Sequence, residues 1–270
     1  MTLEQSRFVA NQVSAPASSG GATGGAARAR ISGAELSRNA FAGNQSSEAA
    51  SAVYFSAVNP PDRPLLRLSN SLFQANSGLS TSTQAGAALF IQRATLRMRN
   101  NTLSFNAAGA SGLAADLFIA GNVVLDAVSN NVFERSALGR SCAFQSGTPA
   151  PPVAAGSRNY FGDSSCTWRS GVGTQTIAPM FFTLSSPSLT LAPGVFVTSA
   201  LPLRESAITD GGASGVSATD FALCAQDDIE GNPRPFDNNG DALANCTAGA
   251  VERNSLFPNG PPLFQDGFEG

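Results

Sequence analysis

Apolar and polar residues alternate in short runs along the first half of the chain, as in LLRLSNSLF (65–73) and ATLRMRNNTL (94–103), and each run ends at Asn, Ser or Gly. A helix needs apolar positions three and four apart over ten or more residues, so a period of two predicts strands separated by turns. The runs themselves recur. With Asn70 as reference, equivalent positions fall at Arg38, Asn100 and Asn130, at spacings of 32 (70 − 38), 30 (100 − 70) and 30 (130 − 100). Two residues before the reference stand Leu36, Leu68, Met98 and Val128. Three after it stand Phe41, Phe73, Leu103 and Phe133, and six after it Asn44, Asn76, Asn106 and Ser136. An earlier copy fits with Gln5 as reference and Leu3, Phe8 and Asn11 in the same columns.

A repeat of this length with one apolar residue per column predicts a solenoid whose units bury their faces against their neighbours. Parallel strands stacked at each repeat, about 4.8 Å apart, place column residues over one another. The recurrent Asn has a role there. At a tight bend its amide bonds the Asn above and below, and it tolerates left-handed backbone. A second apolar strand closes each coil: AVYF ending at Phe55, ALFI containing Phe90, DLFI containing Phe118. The loops between vary, SSEAAS in one copy against SGLSTSTQAGA in the next, and are expected to project from one side.

LSNSLFQAN and MRNNTLSFN, followed by Ala/Gly-rich loops, resemble the right-handed parallel β-helix repeats of exported bacterial surface proteins, including relatives of polymorphic outer-membrane proteins. The downstream half is similar to the C-terminal pattern of choice-of-anchor Q proteins. SRNYFGDSSC supplies the polar turn ending in Cys, and CAQDDIEGNPRPFDNNGDALANCTAGAVE supplies the closing stretch. Asp228, Gly231, Arg234, Pro235, Cys246, Gly249, Ala250, Val251 and Glu252 match that pattern. Ser206, Ala207, Ile208, Thr209 and Asp210 depart from its Ser-Pro-Ala-Ile-Asp element, and Glu230 stands where the family has Arg. The ending LFQDGFEG is similar to that of many secreted proteobacterial proteins. The resemblance implies an all-β fold, a right-handed parallel β-helix with a β-rich C-terminal cap, and export to the cell surface. It brings no agreed activity.

Composition narrows the chemistry. The sequence holds 16 basic residues, all Arg, and no His or Lys. Ser-His-Asp and Cys-His arrangements, His-ligated zinc and Schiff-base lysines are therefore excluded. A net charge of -3 argues against nucleic acid, which requires a dense basic stripe. The most apolar stretch, SLTLAPGVFVTSALPL, is broken by Pro193 and Pro202 and is too short to span a membrane. MTLEQSRFVANQ has no signal-peptide pattern.

The four Cys form two sequence-local pairs, Cys142 with Cys166 and Cys224 with Cys246. Two structural disulfides suit an exported protein, and buried free thiols are the other reading. Between the second pair, DNNGDA sets Asp237, Asn239 and Asp241 at alternate positions around a Gly, where they would converge on Ca²⁺, the only cofactor the sequence offers. The acid expected at the twelfth loop position is Ala248, and an Asx-rich turn is the favoured reading.

On the outer face, three before each reference, the column reads Glu35, Arg67, Arg97 and Ala127, with Arg99 also pointing outward. Two arginines one coil apart repel unless solvent or an anion separates them. Uronic-acid polymers bind β-helix enzymes along such faces, and an Arg can serve there as base. A lyase or hydrolase also needs clustered carboxylates, whereas the coils offer scattered Asp62, Asp116, Asp126 and Glu134. A solvated charged face is the favoured reading.

The chain is thus expected to form a right-handed β-helix over residues 1–185 that lacks an N-terminal cap, a β-rich C-terminal cap over 186–252 and an extended tail over 253–270. It would be monomeric or part of a longer β-helix. The expected role is a non-catalytic exported or cell-surface module, extracellular or on the outer membrane, that binds polysaccharide or a surface protein. The alternatives are a polysaccharide lyase or glycoside hydrolase, and a truncated remnant without independent role.

Overall fold

The computed structural model describes residues 1–13, 26–30, 33–47, 49–57, 63–79, 88–133, 138–145, 153–155, 158–166, 175–176, 208–229, 231–235, 237 and 244–252. The described strands form four sheets, and every strand pair is parallel. Sheet A stacks Thr2–Glu4, Gly33–Ser37, Leu65–Ser69, Thr95–Arg99, Val124–Ser129 and Val153–Ala155. Sheet B stacks Arg7–Val9, Ala40–Ala42, Leu72–Gln74, Thr102–Ser104, Val132–Phe133, Tyr160–Phe161 and Gln175–Thr176. Sheet C holds Gln12–Val13, Gln45–Ser46 and Ser77–Gly78. Sheet D runs Ala27–Arg30, Val53–Ser56, Leu89–Gln92, Ala114–Ala120 and Arg140–Phe144. The chain visits the sheets in turn and returns one rung higher, which makes a parallel β-solenoid. No helix occurs among the described residues.

The columns predicted from the repeat are register partners. Leu3, Leu36, Leu68, Met98 and Val128 align across sheet A. Phe8, Phe41, Phe73, Leu103, Phe133 and Phe161 align across sheet B. From Phe41 onward these sheet B residues are fully buried, and the Phe41 and Phe73 rings stack at 5.0 Å between centroids. Ser136 and the tail lie outside the described residues.

Sheet D is the second apolar strand of each coil, and its aromatic residues divide between two faces. Phe55 aligns with Ile91 and Ile119, which point into the core with it, whereas Phe90 and Phe118 align with Tyr54 on the opposite face. They form a second aromatic stack there, at 5.0 Å spacing, packed against Ala49, Ala50, Ala114, Ala120 and Ala143. Successive strand residues face opposite ways, so a one-residue difference in alignment exchanges inside for outside.

Each of two bends sets a left-handed residue before a polar one, Ser or Asn at the first bend and Asn at the second. At the first, Gln5, Arg38, Asn70, Asn100, Asn130 and Arg158 all have φ between 48° and 56°. The ladder is made by the residue that follows: Asn101 Nδ2 donates to Asn131 Oδ1 at 2.9 Å, and Asn131 Nδ2 to Asn159 Oδ1 at 3.0 Å. At the second bend Ala10, Gly43, Ala75 and Phe105 take φ between 52° and 64°. There Asn11, Asn44, Asn76 and Asn106 donate each to the next, at 2.8, 2.9 and 3.0 Å. Stacked amides are thus found in one of the expected columns, but the reference column supplies the left-handed turn and leaves its side chains outside. One residue cannot do both, because the left-handed position turns its side chain away from the bend that the ladder fills.

Asn76 is fully satisfied and fully buried. Its Oδ1 accepts from Asn44, and its Nδ2 donates to Phe41 O and to Asn106. Removing one partner from a buried hydrogen bond strands the other at about 1–3 kcal/mol. Asn76→Ala is expected to lower stability by about 2 kcal/mol or more, and Phe73→Ala by about 3–5 kcal/mol through the cavity it leaves. Equilibrium urea unfolding measures both, and unchanged midpoints would contradict the inward assignments.

Candidate functional site

The outer face of sheet A carries the predicted charged column. Glu35, Arg67 and Arg97 are register partners on successive rungs. The next rung is irregular: Leu96 pairs with Leu125 but Arg97 pairs with Ala127, so Asp126 is the extra residue of a bulge. That bulge sets Asp126 beside Arg97, whose Nε donates to Oδ2 at 2.5 Å. Arg67 has a looser partner in Glu35, at 4.0 Å. All four side chains are about a third to a half exposed. Pairs in that setting contribute about 0–1 kcal/mol each, so this is a face of partly compensated charge with Arg67 the less committed of its two arginines.

Arg99 points out of the coil as expected but is not part of that face. The chain from residue 208 onward returns along the flank of the solenoid and covers it. Arg99 Nη1 donates to Ser217 O at 2.6 Å and Asp220 O at 3.0 Å, Nη2 donates to Ala218 O at 2.9 Å, and the guanidinium lies 4.4 Å from the centre of the Phe221 ring. Burial pushes its pKa down to about 10, against the pull of the Asp220 charge. The left-handed residues of the first bend hold the same segment. Asn70 Nδ2 donates to Asp227 O at 2.7 Å, Asn100 Oδ1 accepts from Ala225 N at 2.9 Å, Asn130 Oδ1 accepts from Ala213 N at 3.0 Å, and Arg158 donates to Gly212 O at 2.6 Å.

Asp228, Arg234, Gly249 and Glu252, singled out in the sequence, meet inside this segment. Arg234, with a fully buried side chain, donates to Thr247 O at 2.7 Å and Gly249 O at 2.9 Å and lies 3.6 Å from Glu252. Burial pushes its guanidinium down, and the charges of Glu252, Asp228 and Asp227 oppose that. Glu252 accepts from Thr247 N and Oγ1, and Asp228 accepts from Asn232 N and Glu252 N. Gly249, at φ +98°, has no room for a side chain, since a Cβ there would lie 2.5 Å from Thr102 Oγ1. These residues lock the segment to itself and to the solenoid.

Both cysteine pairs are joined, with Cα separations of 5.0 Å for Cys142 and Cys166 and 6.6 Å for Cys224 and Cys246. The polar turn before Cys166 closes the last strand of sheet D. Asp163 Oδ2 accepts from Ser141 N at 2.8 Å, and Ser165 Oγ accepts from Cys142 N at 2.9 Å. Burial pushes the Asp163 carboxyl up, but hydrogen bonds from Ser165 and Ser141 outweigh it and hold the group below its ordinary value. Of the Ca²⁺ candidates, Asp237 is half-buried, and Asn239 and Asp241 lie outside the described residues. No group of three or more His, Cys, Asp or Glu side chains among the described residues is placed to hold a metal. Asp116 and Asp126 are not neighbours in function: Asp116 is buried and accepts from Asn106 at 2.9 Å, and Asp126 serves Arg97. Asp62 and Glu134 lie outside the described residues, as does the apolar stretch around Pro193. No described helix is long and apolar enough to cross a membrane, which says nothing of a β-barrel.

The flank contacts were not legible in the sequence, because Arg99 and its acceptors are more than a hundred residues apart. The one available signal is the run of polar left-handed residues, whose outward side chains demand a partner when buried. No protein family, curated protein or solved structure matches the chain.

Arg99→Lys keeps the charge but loses the planar fork that reaches three carbonyls. It is expected to raise the rate of limited proteolysis between residues 208 and 229 several-fold while the solenoid remains resistant, as read by mass spectrometry of the fragments. For Asp163 the folded pKa is depressed, so its stabilisation is complete above the ordinary carboxylate range and is lost as pH falls through the folded value. Acidification from about pH 6 to about pH 3 should therefore destabilise the wild type more than Asp163→Asn, measured by thermal midpoints.

Proposed function

We propose that the chain is a non-catalytic, right-handed β-helix module of the choice-of-anchor Q type, exported to a bacterial cell surface, and that it binds acidic polysaccharide across the outer face of sheet A. The observation that carries this reading is the stacking of Arg67 on Arg97, one rung apart in register, with the acids Glu35 and Asp126 only at the two ends of the column. Strands spaced about 4.8 Å apart bring the two guanidiniums close enough to repel. An anionic chain lying along the column would relieve that repulsion and gain charge-assisted hydrogen bonds with carboxylates.

A lyase or hydrolase reading has less support. Among the described carboxylates, Glu4 and Asp227 flank Arg38, Glu35 faces Arg67, Asp126 holds Arg97, Asp116 closes an amide ladder, Asp163 closes a strand edge, and Asp228 and Glu252 are buried beside Arg234. The two pairs that lie close each share an arginine, and the inner pair is buried, whereas acid/base cleavage needs two carboxyl groups that reach one substrate. Two disulfides are consistent with an oxidising compartment.

Affinity electrophoresis through polygalacturonate and alginate tests the proposal. Retardation by at least one polymer is expected, with the apparent Kd raised about tenfold or more in a doubly substituted Arg67→Glu, Arg97→Glu protein. Equal mobility with and without polymer would refute binding at this face. Appearance of unsaturated or reducing ends, with or without added Ca²⁺, would restore the enzyme reading.

A further inference from the structure

A second pair of arginines stands beside the column of Arg67 and Arg97. Arg63 and Arg93 each lie two residues before Leu65 and Thr95, which are register partners in sheet A, and four residues before an arginine of the first column. The two rungs are joined there: Thr95 N donates to Pro64 O at 3.0 Å, and Thr95 Oγ1 donates to Arg63 O at 3.3 Å. Four residues of strand span at most about 13 Å. Arg93, at φ 51°, makes the bend that leads from Leu89–Gln92 of sheet D into Thr95–Arg99 of sheet A.

Between the two columns runs a third, made of the register partners Leu65, Thr95 and Val124. They alternate with Leu66, Leu96 and Leu125, which are fully buried, so they share the outer face and are half-buried on it. Thr95 spends its hydroxyl hydrogen on Arg63 O, and its two neighbours are aliphatic. The middle of the face is therefore apolar and its two edges are cationic.

The second column differs from the first in its charge balance. Glu35 and Asp126 serve Arg67 and Arg97, whereas among the described residues no acid forms an ion pair with Arg63 or Arg93. Arg63 is exposed and Arg93 is half-buried. Arg93 is held by its stem. Gly121 on the next rung, at φ +65°, leaves the space beside it, since a Cβ there would lie 3.5 Å from Arg93 Cγ. Its Nε is shut off from solvent without an acceptor. A guanidinium fixed at the stem loses little freedom when its outer nitrogens take up an anion.

We propose that Arg63 and Arg93 form the second wall of the polysaccharide site and set its specificity, a step that rests on the binding reading above. The substrate class is a flat, 1,4-linked polyuronate with a carboxylate on every sugar. In such an extended chain successive sugars are turned over, so carboxylates leave at both edges while the ring faces present C–H groups. Laid along the Leu65–Thr95–Val124 column, the chain sets its ring faces on the apolar strip, one row of carboxylates toward Arg67 and Arg97 and the other toward Arg63 and Arg93.

Titration of the full chain with mannuronate-rich alginate over a series of salt concentrations tests this. Each ion pair formed releases counterions, so the slope of log Kd against log salt concentration reports how many charges are engaged. Replacing both Arg63→Gln and Arg93→Gln is expected to lower the slope to about half and to raise Kd about tenfold or more at low salt, as the pair Arg67→Gln and Arg97→Gln does. Arg63→Gln alone, at an exposed position, should give the same direction at about half the size, which keeps the test valid if the double variant melts early. Leu65→Ser should weaken binding at every salt concentration and leave the slope unchanged. Arg140→Gln, which removes an exposed arginine from the last strand of sheet D, should change neither. A slope that the Arg63 and Arg93 variants leave at the parental value, or a fall that Arg140→Gln reproduces, overturns the second wall while binding through Arg67 and Arg97 stands. A parent that alginate does not bind at low salt overturns both.

Discussion

A buried side-chain amide brings two donors and one acceptor, and along the second bend of this protein they are met by amides and backbone carbonyls of the neighbouring rungs. Asn76 illustrates the constraint: it receives two bonds from the rung before, gives one to the rung after and returns one to Phe41 O. Each bond leaves no slack, because a buried group left unmatched costs about 1–3 kcal/mol. The two ladders therefore dictate the length of the arc between them. Asn39 and Asn44, Ser71 and Asn76, and Asn101 and Asn106 are all five residues apart, whereas the return from Asn44 to Ser71 takes 27 residues and that from Asn76 to Asn101 takes 25. Variation in coil length is confined to the side the ladders do not touch. The apolar columns follow from the same constraint, since Phe73 lies on the arc and Leu68 three residues before it, and both stack wherever the amides stack.

The left-handed residues in front of the first ladder have the opposite task. Their backbone makes the bend and costs roughly 1–2 kcal/mol per non-glycine residue, and their side chains, directed away from the core, become the fastening for the returning chain. Asn does this with one amide, reaching Asp227 O or accepting from Ala225 or Ala213. Two buried arginines outside that bend hold carbonyls with a fork, one between the solenoid and the returning segment and one within that segment. Arg99 spans three carbonyls of 217–220 and Arg234 spans Thr247 and Gly249. An ammonium is a compact, strongly hydrated charge that could not bridge carbonyls in one plane, so lysine would be a poor substitute at either position.

Much of this could be read from the residues. The columns at Leu68 and Phe73 were legible because the stack repeats a local pattern at a fixed interval, and the cysteine pairs because each closes a short loop. The second apolar strand of each coil was legible at Phe55, Phe90 and Phe118, but not which of its residues face the core. The strands of Phe90 and Phe118 contain Leu, Phe and Ile in succession, so alternation gives no sign of which set points inward, and only the register with Phe55 decides it. Arg99 and Asp163 were not legible as fastenings, because their partners depend on where the chain returns and where the stack stops. The Asn-Asn pairs at 100–101 and 130–131 were half legible. An Asn recurring beside another Asn announces a bend, but which of the two turns left and which forms the ladder is set by the direction of each side chain.

What remains open to a partner is the part of the surface that none of these tasks consumes. The inner faces are packed, the amides of the second ladder are matched, and the flank is fastened from Arg38 to Arg158 by the returning segment. Among the described surfaces outside these contacts is the outer face of sheet A, where the bulge at Asp126 makes two stacked arginines unequal. Arg97 is held at 2.5 Å by an acid on its own side, while Arg67 has only Glu35 at 4.0 Å. At that exposure solvent weakens both the pull of Glu35 and the push of the neighbouring guanidinium. What distinguishes the two arginines is geometry: the bulge gives Arg97 an acid of its own, and on the binding reading proposed above Arg67 is the one with donors to offer an incoming carboxylate.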